Sequence, residues 1–497
     1  MMRPFVEEAK KILSLPAITH EGNEEVANYA AGLMRARGMK VQLQQVTHSL
    51  EDVSKRQFNV IGISGDPLVD RKTRKGLLLL SHLDTSVPGL FPAWTECAGK
   101  PMEPHFRDGW VYGLGAAQGK LDFLCKLHAI EKYREKKLKM PIYLVGTCGE
   151  KLGMFGAKYL MKSMALNPRY VLVGGASNLA PVYRHKCEAT LRVSIAYHRV
   201  TRDARGFNRQ VIIEAFGRQG HAAFPELGEN AILQLLEFLK GAQDAGFDFR
   251  FTGFSGGHPG DMVADRAQAR LFLTSHQLED FKLYFEDYRR RVHRENQLSA
   301  ITEGFADAGV QFFPDPLFPA ICDVVASLGF LSEDLAEKRN SEFEPPISTL
   351  NLERMVERPG SIDLWFNAHL IPEVSIEDLE SQLKSALKAL SVHYPALNFL
   401  VHRDRLNPAL SMTDDQALAQ HCEQVVGELG WSTADAPKDR GSIASEAAHY
   451  FQGGYEAVVF GPGRAAGNVH APNERNSLTE LEGAVRFYER LIERVCL

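Results

Sequence analysis

The sequence predicts an α/β protein: a sheet with a large parallel part, flanked by helices, into which an α+β domain is inserted. Three observations predict it. Strand-like apolar runs alternate with helical patterns over residues 1–187. Over 188–402 the order changes to strand-then-helix modules, which suggest two α+β halves. Over 403–497 the alternation returns and supplies one more strand, so this part completes the first domain. The chain has 497 residues, enough for about two to four domains at roughly 150 residues each.

The elements follow in order. A charged amphipathic helix at about 4–14 precedes a second at about 23–37, whose Val26, Tyr29, Ala30 and Leu33 share a face. Strands are expected at "KVQLQQV", "FNVIGIS" and "GLLLLSHLD". "GAAQGKLDFLCKLHAIEKYREKK" reads as a glycine-led helix, "MPIYLVGTCGE" as a strand, "GMFGAKYLMKSM" as a helix and "YVLVGGAS" as a strand. In the insertion, "TLRVSIAY" and "RQVIIEAFGRQGHAAF" read as paired strands, and "NAILQLLEFLKGAQDAG" as a helix. The strand "ADRAQARLFLT" precedes the helix "HQLEDFKLYFEDYRRRVHREN", and "SIDLWFNAHLIP" precedes "SIEDLESQLKSALKAL" and the strand "LNFLVHR". The Gly- and Pro-rich "FTGFSGGHPG" and "FFPDPLFP" read as loops. The last part offers the helix "DDQALAQHCEQVVGELG", the strand "YEAVVFGPG" and the helix "SLTELEGAVRFYERLIERV".

Composition narrows the function. Apolar content of 44% and charged content of 24% are ordinary for a globular protein. A net charge of −5 argues against nucleic-acid or anionic-membrane surfaces. No apolar run approaches a transmembrane length, and the N-terminal pattern lacks a signal peptide's apolar core. Seven scattered cysteines without a CxxC read as reduced thiols, so a cytoplasmic location is expected.

Candidate chemistry gathers where strands end, the usual place for sites in such sheets. His82 and Asp84 follow an apolar strand with one residue between them, so both fall on one face. A neutral imidazole oriented by a carboxylate is a metal-ligand arrangement, and equally a structural hydrogen bond at a strand end. Glu150 ends "YLVGTCGE" and suits a general base or a helix N-terminal acid. His221 stands among glycines in "GRQGHAAFPELGENAI", and His470 in the loop "NVHAPNE".

Singly these are weak signals; their order is specific. HxD, then G-x-G-A-x-x-x-K, then Glu before "xxGxxGA", then "GHAAFPELGENAI", then "FGPG…HAPNE" resembles the aminoacylase, carnosinase and succinyl-diaminopimelate desuccinylase family of dinuclear zinc amidohydrolases. The long middle, with "STLNLERMVERPGSIDLWFNAHLIPE", is most similar to the branch of bacterial Xaa-His dipeptidases. The resemblance implies a zinc-exopeptidase-like catalytic domain from 1–187 and 403–497, with 188–402 as a lid or dimerisation domain. It makes His82 the first histidine ligand, Asp84 its orienting partner, Glu150 the general base on a metal-bound water, His221 an oxyanion-stabilising lid histidine and His470 the last ligand.

Three further ligand positions depart from the family. Gln118 stands where a bridging Asp is expected, Lys151 where an acid follows the base, and Gly175 where a third acidic ligand belongs. His369 occupies the place of a substrate-carboxylate Arg. Asp122 lies a helical turn beyond Gln118, too far to substitute without rebuilding the loop. His82 and His470 alone fall short of the three or four protein ligands that zinc needs, and a lysine repels the metal. No cofactor is therefore expected, with zinc as the cofactor if the family activity is retained. A Lys151–Glu150–Asp84 polar cluster is expected in the former metal cavity.

The leading expectation is a dipeptidase-like pseudoenzyme with a degenerate zinc site and a binding or regulatory role. The alternatives are an active hydrolase of dipeptides or N-acyl amino acids with a rearranged metal site, and metal-independent chemistry through a Cys148 thiolate. A small peptide or acyl-amino-acid ligand is the expected partner, with no nucleic acid or membrane, in a monomer or a homodimer.

Overall fold

A computed structural model describes residues 2–48, 56–66, 75–163, 166–200, 206–292, 297–305, 310–432 and 436–497. It divides into two compact units: Met1–Glu188 with Asn340–Pro346 and Leu406–Leu497, and Ala189–Arg339 with Ile347–Arg405.

The first unit is built on a six-stranded sheet in the order Lys40–Val46, Gln57–Ser64, Ile142–Thr147, Leu77–His82, Tyr170–Val173, Glu456–Val459. The first three strands pair antiparallel, and from Ile142–Thr147 onward the pairs are parallel. Leu77–His82 is buried at every residue, as an inner parallel strand covered on both faces must be. Helix Gly119–Glu131 packs on it, and also against Met2–Ser14 and Leu478–Cys496. Glu24–Ala36 and Phe155–Ser163 pack on Gln57–Ser64, while Ala417–Glu428 and Ala447–Gln452 pack on Glu456–Val459. The mixed α/β class read from the sequence is the class observed.

Helix Gly119–Glu131 is buried all round up to Ile130, yet carries Lys120, Asp122 and Lys126. Lys120 Nζ donates to the Leu15 carbonyl oxygen (2.9 Å), and Lys126 and Asp122 pair with each other. Lys126 Nζ donates to Asp122 (2.6 Å), Ser81 Oγ (3.0 Å) and the Leu80 carbonyl (2.7 Å). The Tyr488 hydroxyl donates to the other Asp122 oxygen. Asp122 thus serves to tie helix to strand.

The second unit carries an eight-stranded sheet in the order Leu298–Phe305, Phe207–Phe216, Arg266–Thr274, Arg250–Gly257, Thr349–Arg358, Ser361–Leu370, Cys187–Ala196, Asn398–Asn407. The pairs from Leu298–Phe305 to Ser361–Leu370 are antiparallel. Its helices are Ala231–Asp244, Leu278–Arg291, Leu317–Glu337 and Ile376–His393.

Three expectations are corrected here. The strands of "TLRVSIAY" and "RQVIIEAF" are not partners: the first lies between Ser361–Leu370 and Asn398–Asn407, the second between Leu298–Phe305 and Arg266–Thr274. Phe207–Phe216 is placed by helix Ala231–Asp244, which packs on it and on Arg266–Thr274. The glycine-rich 251–260 stretch begins as strand, Arg250–Gly257, because its glycines serve close packing. A Cβ on Gly256 would stand 2.7 Å from Ile232 Cγ1. "FFPDPLFP" ends inside helix Leu317–Glu337, where Pro319 sits in the first turn and sacrifices no intrahelical bond. The expected end of the helix after Leu278–Arg291, residues 293–296, lies outside the described residues.

Candidate functional site

In the first unit, His82, Gln118, Glu150 and Lys151 line one cavity of about 50 Å³, together with Gly174, Arg440, Ser445 and Glu446. His82 is the last residue of its strand. Its Nδ1 lies 3.0 Å from the Asp84 carbonyl oxygen, and a carbonyl accepts, so Nδ1 carries the proton. The Asp84 carboxylate is farther, with Oδ1 at 3.6 Å. The backbone carbonyl of Asp84 thus holds the ring more closely than its side chain does. Asp84 Oδ2 accepts from Thr19 Oγ1 at 2.6 Å and from the Lys151 backbone N–H at 3.3 Å.

The backbone is shaped to bring these groups together. Gly119 follows Gln118 at the helix start, and a Cβ there would stand 1.9 Å from the His82 carbonyl oxygen. Gly149 adopts φ 71°, turning the chain after Cys148 so that Glu150 and Lys151 begin a short helical turn. Lys151 is buried, and its Nζ lies 2.7 Å from Glu150 Oε2. The ammonium thus pairs with Glu150, while the backbone N–H of the same residue meets Asp84.

The electrostatics follow from burial and neighbours. Burial and the Lys151 charge push the His82 imidazole down, yet the Glu150 and Asp84 carboxylates outweigh them and hold it above its ordinary value. Burial pushes Asp84 up, but His82, Thr19 and Lys151 bring it below the usual carboxylate range. The Cys148 thiolate is corrected: burial, with Asp84 and Glu446 nearby, pushes the thiol well above its ordinary value. The Lys151 ammonium does not reverse this.

Two further residues at the site carry no role in the sequence reading. Glu446 is buried in the cavity wall, and burial pushes it up to about 8. Its signal was faint: one acid before "AAHYF", whose Ala447, Ala448 and Tyr450 are buried. Glu474 stood inside the quoted "HAPNE". It accepts from Gly115 N (2.9 Å) and Ala117 N (3.0 Å), clamping the loop that presents Gln118. His470 is buried at φ 59°, next to the cavity-lining Val469. Gly175 is packed on Val459, whose Cγ1 would lie 2.6 Å from a Cβ.

His221 and His369 belong to the second unit, where both meet Asp261. His369 Nε2 lies 3.0 Å from Asp261 Oδ1, and His221 Nε2 3.4 Å from Oδ2. Asp261 itself is held by Glu353, which accepts from the Gly260 and Asp261 N–H groups. Among the described residues this is the only group of three metal-ligating side chains whose ligand atoms lie within 4.8 Å of one another. Its hydrogen bonds do not suit a metal. His221 Nδ1 accepts the Ala223 N–H at 3.1 Å, so the proton of the neutral ring sits on Nε2, the atom that faces Asp261. A ligating Nε2 needs the opposite tautomer. The cluster is a carboxylate shared by two imidazoles.

Fold and site together define a two-unit α/β protein with a His-x-Asp pair at the carboxyl end of an inner parallel strand, facing a Glu from the adjacent strand end. Residues 78–494 match Peptidase_M20, described as peptidase family M20/M25/M40. The chain belongs to that family.

Over 235 residues the chain is 26% identical to acetylornithine deacetylase of Photorhabdus laumondii, covering 46% of this chain and 52% of that one. It is 29% identical over 234 residues to the enzyme of the same name from Erwinia tasmaniensis, with 46% and 52% covered. The chain thus spans about half the length of the curated relatives it matches. Human carnosine dipeptidase 1 is similar in fold at TM-score 0.58 and 14% identity, covering 99% of this chain and 97% of that one. Aminoacylhistidine dipeptidase from Vibrio alginolyticus is similar at TM-score 0.52 and 16% identity, with 99% and 97% covered. Among the described residues no helix is long and apolar enough to cross a membrane.

Proposed function

We propose that this family member has lost zinc-dependent amide hydrolysis and that its cleft serves a binding or regulatory role. The observation that carries this reading is the Lys151–Glu150 pair at 2.7 Å, with Lys151 buried and both beside the buried His82 and Asp84. A fixed ammonium neutralises the carboxylates a dication would otherwise bridge, and it repels any metal that approaches. Gln118 and Gly175 offer no anionic ligand, so the residues present do not fit the dinuclear zinc of the family. Glu150, committed to Lys151, is not a free general base. A small peptide or N-acyl amino acid is the ligand class for such a cleft. Buried thiols at Cys97, Cys125, Cys148, Cys422 and Cys496 suit a cytoplasmic setting.

A second reading has one observation in its favour. Glu446 adds a buried carboxylate to the cavity wall, a ligand that a rearranged metal site would use. Metal analysis of the purified full-length protein separates the two. The first expects no tightly held zinc and no turnover of dipeptides or N-acyl amino acids. Two equivalents of zinc with chelator-sensitive turnover would establish the second.

A further inference from the structure

Ser445 and His185 form a separate pair at the same cavity. Ser445 Oγ lies 3.0 Å from His185 Nε2, and the Ser445 backbone N–H donates to the same atom at 3.3 Å. Behind the ring, His185 Nδ1 lies 2.9 Å from the Lys186 carbonyl oxygen. A carbonyl only accepts, so Nδ1 carries the ring proton, and the Nε2 lone pair is shared between the Ser445 backbone N–H and its hydroxyl. The imidazole is buried, and burial pushes it down to about 4, so the ring is neutral near physiological pH. Ser445 lines the cavity alongside Lys151 and Arg440. A hydroxyl on the lone pair of a tautomer-fixed imidazole, with an orienting acceptor behind the ring, is the arrangement of an activated serine.

We propose that Ser445 is an acyl-accepting nucleophile, with His185 as its general base, acting without metal on esters of short acyl chains. Ser445 Oγ attacks the ester carbonyl carbon, and its proton passes to His185 Nε2. The ester C–O bond then breaks, and the alcohol leaves with that proton. Water attacks the acyl-serine in turn, giving a proton to His185, which returns it to Oγ as the carboxylic acid departs. Arg440, which lines the same cavity, supplies positive charge for the oxyanion. The orienting group is a carbonyl dipole rather than a carboxylate, which stabilises the imidazolium less, so esters are the substrate class and amides are not. The cavity of about 50 Å³ limits the acyl chain to a short one. This reaction goes beyond the loss of zinc hydrolysis and does not rest on it.

The competing role of Ser445 is structural. Its Oγ also accepts the Ala447 N–H at 3.3 Å, as a helix cap would, and a capping serine is chemically inert. The test uses the full-length protein in excess chelator with a fluorophosphonate probe. One adduct per chain is expected by intact mass, mapping to Ser445, with chelator-insensitive release of nitrophenol from p-nitrophenyl acetate. No adduct on the folded protein, or an adduct on another residue, overturns the proposal. His185→Gln is expected to slow labelling by about 100-fold or more at an unchanged circular-dichroism spectrum. Labelling of that variant at the wild-type rate overturns the general-base role. Should the variant fail to fold, mapping on the wild type decides alone. Zinc content, measured separately, leaves this outcome untouched.

Discussion

Lys151 and Glu150 pair at 2.7 Å, with Lys151 buried and Glu150 largely so. Removing one partner of a buried pair leaves an uncompensated charge, typically costing about 3 kcal/mol. Lys151→Met is therefore expected to destabilise the protein by about that amount, read from urea unfolding, although methionine fills much the same space. Glu446 gives a second residue-scale prediction, in pH. Its pKa rises from 4.5 to about 8 on folding, so between these values the folded state holds a proton that the unfolded state has lost. Stability therefore falls as pH rises from about 4.5 to about 8, by on the order of 4 kcal/mol for this group. Glu446→Gln should remove most of that fall. Equal slopes in the two proteins would show that Glu446 is not the source.

At the scale of elements, the contact between helix Gly119–Glu131 and strand Leu77–His82 positions the site. The helix start lies against the His82 carbonyl with no room for a methyl group. Gly119→Ala is expected to cost about 2–3 kcal/mol, seen as a lowered melting temperature. The contact is invisible in sequence, where Gly119 is one glycine among several. The strand itself was legible, because "GLLLLSH" is an apolar run bounded by turn residues, and so was the placing of His82 at its end. The strand Arg250–Gly257 was not legible, because glycine signals turns locally and close packing only in three dimensions. Helix Leu317–Glu337 was hidden by Pro314, Pro316 and Pro319, which punctuate its start. Glu446 and the Ser445–His185 pair escaped for another reason: their partners lie on elements distant in sequence, and no local spacing announces them. Asp261 escaped in the same way, joined to His221 and His369 only by the folding of the second unit.

At the scale of the whole molecule, the family match over 78–494 and the proposed loss of the zinc site name Gln118, Lys151 and Gly175 as the positions that restoration would change. Gln118→Asp and Lys151→Glu supply carboxylates without steric conflict at glycine positions. Gly175→Asp does not, because its Cβ would lie 2.6 Å from Val459 Cγ1. Val459→Ala is needed with it. In the fourfold variant, three new carboxylates join Asp84, Glu150 and Glu446 with no ammonium among them. Without metal they repel one another, so its melting temperature is expected to fall below that of the wild type. Zinc then has a site, and binding to the folded state alone contributes about 2.7 kcal/mol at a hundredfold excess over the dissociation constant. Thermal shift with and without zinc checks this: a large rise for the variant and none for the wild type. A matching rise for the wild type would mean that Lys151 does not keep metal out, and the reading of a lost zinc site would have to be abandoned.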